Sequence, residues 1–116
     1  MLFRSIALSQ SNLDKAFVHY ERAYQLNPNE VQAQMGLAKL LMMQEKPQEA
    51  VKYLRVAVDL DPLNRAAHYQ LGTAYRRLQM TDMALKELHL SQEIKQTQDQ
   101  VEELYRQMNK IGRAHV

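Results

Sequence analysis

An all-α fold made of repeated helix pairs is what this sequence predicts, and three observations carry that expectation. The first is internal repetition with a period of 34 residues: Leu26-Asn27-Pro28-Asn29 recurs as Leu60-Asp61-Pro62-Leu63. The same shift sets Ala16 on Ala50 and Ala84, Tyr20 on Leu54 and Leu88, and Ala23 on Ala57 and Ser91. It also sets Leu26 on Leu60 and Ile94, Leu37 on Leu71, and Ala38 on Gly72, so small residues fall on small ones and large apolar residues on large ones. The second observation is apolar spacing of three and four, as on one helix face. The third is that 116 residues contain only 3 Gly and 3 Pro, too few for a turn-rich β protein.

The elements follow in order. Asn12 to Leu26 reads as a helix, opened by Ser11 with Asp14 as a cap, and a first helix before it would need four residues ahead of Met1. Val31 to Gln44 carries Met35, Leu37, Ala38, Leu41 and Met42 at helical spacing, with Asn29 and Gln32 arranged as a capping box. Gln48 to Leu60 does the same through Ala50, Val51, Leu54, Ala57, Val58 and Leu60, and Pro47 suits its first turn. Asn64 can cap the next pair. Pro28 and Pro62 lack the amide hydrogen and disfavour helix in the residue before them, so they separate one hairpin from the next. From Thr97 to Lys110, Val101, Leu104, Tyr105 and Met108 mark a further amphipathic helix, expected to pack on the last repeat as a cap.

A 34-residue helix-turn-helix unit with Leu71-Gly72, Tyr75, Ala84, Leu88 and a closing proline resembles the tetratricopeptide repeat, over about residues 3 to 96. The likeness departs from the pattern at Ser91 and Gln96, where an alanine and the proline are expected, and at Arg4 in the first copy. The resemblance implies a right-handed α-solenoid: a partial first repeat over 1–30, a second over 31–64, a third over 65–96, and a capping helix over 97–110. A longer bacterial parent is the expectation. Residues 111–116, Ile-Gly-Arg-Ala-His-Val, are similar to the translation of a common DNA-sequencing adapter in a frame that Lys110 permits, so they are expected to be a non-native tail.

Composition narrows the function classes. With 15 basic and 13 acidic residues the formal charge is +2, too near neutrality to point to nucleic acid or an anionic membrane. No apolar run is long enough to span a bilayer, and no signal-peptide pattern opens the chain, so a soluble protein of unassigned compartment, cytoplasmic or periplasmic, is expected. Lack of Cys excludes disulfides and thiolate chemistry. His19, His68, His89 and His115 show no metal-ligand spacing, and Gly36, Gly72 and Gly112 are isolated rather than forming a phosphate loop. Neither an enzyme nor a cofactor-binding protein is expected. His68 stands where the family usually has an aromatic residue and is expected to pack between helices.

In the family, the first helix of each pair lines a concave groove that holds a partner segment. Carried onto this sequence, the groove would present Gln32, Met35, Lys39, Met42 and Met43 from the second repeat, and Ala66, Tyr69, Thr73, Arg76 and Arg77 from the third. Lys39, Arg76 and Arg77 would make a basic end, and Met35, Met42 and Tyr69 an apolar patch, suited to a protein or peptide partner with acidic and hydrophobic side chains. Some members clamp a chaperone's terminal carboxylate with Lys, Asn and Arg; here Met35, Gly36, Lys39, Ala66 and Gln70 occupy those places and the Asn residues are missing, which argues against such a clamp. Self-association, or service as an adaptor within a larger multidomain enzyme or sensor, is the alternative expectation.

Overall fold

In a computed structural model the chain folds as five helices: α1 (Leu2–Leu26), α2 (Val31–Met43), α3 (Pro47–Leu60), α4 (Arg65–Arg77) and α5 (Thr81–Ala114). The structure describes the backbone of residues 2–114 and the side chains of 12–112. Each helix packs on its neighbours in sequence, and α2 also meets α4. The interior between them is built from Ala38, Leu41, Ala50, Leu54, Ala57, Ala67, Leu71, Ala74, Tyr75 and Ala84. Apolar burial across successive hairpins, rather than within any one, is what holds such a stack together.

The small residues sit at helix crossings. A Cβ on Gly72 would lie 2.7 Å from Leu88 Cγ and 3.2 Å from the Ala84 carbonyl oxygen, so α4 and α5 approach only because that atom is missing. At Gly36 the occupant of the same space is the Tyr20 ring from α1.

The turns inside the two complete hairpins are copies of each other. Glu45 and Gln79, 34 residues apart, take left-handed conformations with φ of 60° and 61°. Lys46 N–H donates to the Leu41 carbonyl and Glu45 N–H to that of Met42; Met80 and Gln79 repeat this with Tyr75 and Arg76. These bonds satisfy the last carbonyls of α2 and α4 in a Schellman arrangement, with a non-glycine residue accepting the backbone strain.

Polar side chains tie the hairpins to the proline-containing links. Gln34 is fully buried and its Nε2 donates to the Pro28 carbonyl. One period later, His68 Nε2 lies 2.7 Å from the Pro62 carbonyl oxygen while its Nδ1 lies 2.7 Å from Glu87 Oε2. His68 thus fills the interhelical slot, with a hydrogen-bonding role that an aromatic hydrocarbon could not take. Ser91, buried where the pattern has alanine, donates from Oγ to the Arg65 carbonyl at 3.2 Å. Asn64 caps α4 by accepting from Ala67 N–H at 3.1 Å, and Pro47 occupies the first turn of α3.

Four local expectations are corrected. Residues 2–26 form one helix with no break near Ser11, which therefore does not cap a second one; Ser9 to Asn12 contain neither Pro nor Gly to interrupt it. Asn29 does not cap α2: the N-cap is Glu30, without a side-chain bond, and Asn27 Oδ1 instead accepts from Asn29 N–H. The segment 97–110 is helical but is not a separate capping helix. It continues α5 straight out of the repeats, because Gln96 replaces the proline that ends the earlier units and Gln, Glu, Lys and Arg after it favour helix. Met35 is the fourth: it is only 8% exposed and belongs to the interior. Asn64 Nδ2 approaches its Sδ at 3.4 Å, so the link that starts α4 covers it.

Candidate functional site

The meeting of α2 and α4 leaves a cleft of about 180 Å³ lined by Lys39 and Met42 from α2, and by Tyr69, Gln70, Thr73 and Arg77 from α4. Helical spacing explains the set: residues 66, 69, 70, 73 and 77 fall on one stripe of α4, and 39 and 42 on one stripe of α2. A second hollow continues along α4, lined by Arg65, Ala66, Tyr69, Gln70 and Ser91. Tyr69 and Gln70 border both, which makes the two hollows one groove running along α4.

Of the groove residues expected from sequence, Lys39, Met42, Tyr69, Thr73 and Arg77 come together. Ala66 lines the adjoining hollow. Four do not line either. Met35 is interior, Gln32 and Met43 are exposed on α2 without lining the cleft, and Arg76 is exposed to one side, a turn of about 100° away from Arg77. Arg77 is also partly committed. Its Nη1 donates to the Met42 carbonyl at 3.0 Å, where a cation suits the negative end of α2, and the remaining guanidinium donors are left for other acceptors. Thr73 Oγ1 donates to the Tyr69 carbonyl on its own helix.

Gln70, which sequence reasoning placed only at a clamp position and not among the expected binding residues, lines both hollows. Its Oε1 is buried and has no hydrogen-bond partner, an arrangement that costs free energy until a donor arrives. A signal was present, since Gln70 is the repeat equivalent of Gly36: one copy has no side chain there and the other carries an amide.

No acidic side chain lines the cleft, so the charge of Lys39 and Arg77 is not neutralised locally. Tyr75, in the interior, and Tyr53, packed edge-on against the Tyr24 ring, have pKa values raised above the ordinary 10.0. Burial is the main cause at both; for Tyr75 Arg55 lowers and Glu87 raises it further, and for Tyr53 Tyr24, Glu21 and Glu49 add to the rise. Among the described residues no group of three His, Asp or Glu side chains is arranged to hold a metal ion, and no helix is long and apolar enough to cross a membrane.

Sequence models described as tetratricopeptide repeat match residues 7–55 and 44–88. A search of curated proteins found no match. Among solved structures, a crystal structure of MamA superposes with a TM-score of 0.72 at 19% identity, over 83% of this chain and 56% of that one. A MamA RS-1 double mutant gives 0.71 at 22%, over 82% and 53%. The first TPR of Spaghetti (RPAP3), bound to the HSP90 peptide SRMEEVD, gives 0.71 at 17%, over 90% and 86%. The chain spans about half the length of the MamA structures it matches. At these identities the likeness establishes the fold.

Proposed function

The chain belongs to the tetratricopeptide-repeat proteins, and on that premise we propose that it is a noncatalytic scaffold whose α2/α4 groove holds an extended partner segment bearing acidic and apolar side chains. The observation that carries the proposal is the convergence of Lys39 and Arg77 with Met42 and Tyr69 on one cleft free of carboxylates. Lys39 and the uncommitted donors of Arg77 attract a carboxylate, Met42 and Tyr69 give adaptable apolar contact, and Gln70 Oε1 accepts a backbone N–H from the segment. The peptide bound by the first TPR of Spaghetti, SRMEEVD, has this kind of composition. Its mode of capture is not carried over here, because the asparagines of the chaperone clamp are missing.

The test is capture from an array of random heptapeptides, followed by titration of the best binder. Acidic peptides with one or two large apolar residues should dominate, and raising salt should weaken them. Lys39→Ala with Arg77→Ala should weaken binding roughly tenfold or more, as for charge-assisted contacts, while Arg76→Ala should leave it unchanged. Equal capture of basic peptides, or full binding by the double variant, would reject the groove.

A further inference from the structure

The outer part of α5 is unused by the fold. Beyond Gln96 the helix runs out of the repeats, and Val101, Leu104, Tyr105 and Met108 are 44%, 58%, 62% and 63% exposed. Their spacing is regular. Leu90, Ile94, Thr97, Val101, Leu104, Met108 and Ile111 alternate four and three residues apart, the heptad seam of a coiled coil. Where it meets the body it forms one wall of an apolar cleft of about 490 Å³, whose other wall is Pro62, Leu63 and His68. In a stack of hairpins this is where a further helix would lie.

We propose that this seam is covered by the same seam of a second copy of the chain, the two α5 extensions packing antiparallel. The charge pattern selects the occupant. The positions flanking the seam over the extension are Gln98, Gln100, Tyr105 and Gln107, all uncharged, while Asp99, Glu102, Glu103, Arg106 and Lys110 lie on the far side. An identical helix therefore meets no like charge, and a partner of opposite charge finds nothing to recognise. Antiparallel pairing sets Val101 against Leu104 and Thr97 against Met108 of the second copy. It brings Met108 and Tyr105 over Thr97 and Gln98, which border the cleft beside Pro62 and Leu63. Parallel pairing would instead crowd the two repeat bodies at one end and leave both clefts open. This association is independent of the groove, since neither α2 nor the groove stripe of α4 takes part.

The experiment uses the full chain in sedimentation velocity over a concentration series. A dimer is expected, with a dissociation constant below about 100 μM. Val101→Glu with Leu104→Glu should weaken it roughly 100-fold or more by placing charges in the seam, with the melting transition of the repeats retained because neither side chain is used by the body. The chain has no cysteine, so orientation can be read directly: chains bearing Gln100→Cys mixed with chains bearing Gln107→Cys should form a mixed disulfide, whereas Met108→Cys alone, far from the two-fold axis, should not cross-link with itself. A monomer at every concentration, a dimer untouched by the double glutamate variant, or efficient Met108→Cys self-linking would each overturn the proposal.

Discussion

Replacing Gly72 by alanine sets two effects of opposite sign against each other. Removing glycine from a helix interior favours the helix by about 1 kcal/mol. Against that, the new Cβ would lie 2.7 Å from Leu88 Cγ, 2.9 Å from its Cδ2 and 3.2 Å from the Ala84 carbonyl oxygen. A branch point and a backbone atom cannot swing aside as a chain end can, so α4 and α5 must separate, and overpacking of this kind costs about 1–3 kcal/mol. The net expectation for Gly72→Ala is a loss of about 1 kcal/mol, or about 4 °C in Tm. Gly36→Ala is the matched control. There the obstruction is the ring of Tyr20, 39% exposed and able to turn outward, so the two effects should nearly cancel, leaving a change within about 0.5 kcal/mol. Thermal and urea unfolding followed by circular dichroism would measure both. A Gly72→Ala variant as stable as the parent would refute the tight α4/α5 crossing.

Two further outcomes follow from buried polar groups. His68→Leu leaves the Pro62 carbonyl and Glu87 without their partner and should cost about 1–3 kcal/mol in urea unfolding, whereas His68→Gln, which copies Gln34, should retain the link to Pro62 and cost less. Tyr75 has a raised folded-state pKa, so its contribution is fully present below pH 10 and is lost as pH rises through the higher folded value; Tyr75→Phe should flatten that alkaline decline, measured as Tm against pH.

The helix-pair architecture was legible because it rests on local and periodic signals. A 34-residue period, paired prolines and small residues in phase require no knowledge of which helices touch; α2 and α3 begin and end within a residue of the positions read from sequence, and α4 starts directly after its expected cap, Asn64. The two places where helices were expected to break, near Ser11 and at Gln96, failed for a shared reason: repeat logic assigns a turn by position, while the backbone stops only where a residue or a packing partner makes it stop. Asn64 succeeded as a cap and Asn29 failed although both precede a helix, because one side chain reaches Ala67 N–H and at the other link Asn27 accepts from Asn29 N–H instead.

The groove divides in the same way. The resemblance to the tetratricopeptide repeat, not residue type or spacing, pointed to α2 and α4 as the groove helices, and of the residues it implied Lys39, Met42, Tyr69, Thr73 and Arg77 line one cleft. Spacing along one helix cannot say how deep a side chain lies once a neighbouring element arrives. Met35 is closed off by the Asn64 link, Arg77 is drawn to the end of α2, and the Gln70 amide oxygen is buried without a donor. Each of these depends on residues 29 or more positions away, or on their absence, and such distances are set when the hairpins nest, since burial is a property of the whole surface and not of the strand of sequence that supplies it.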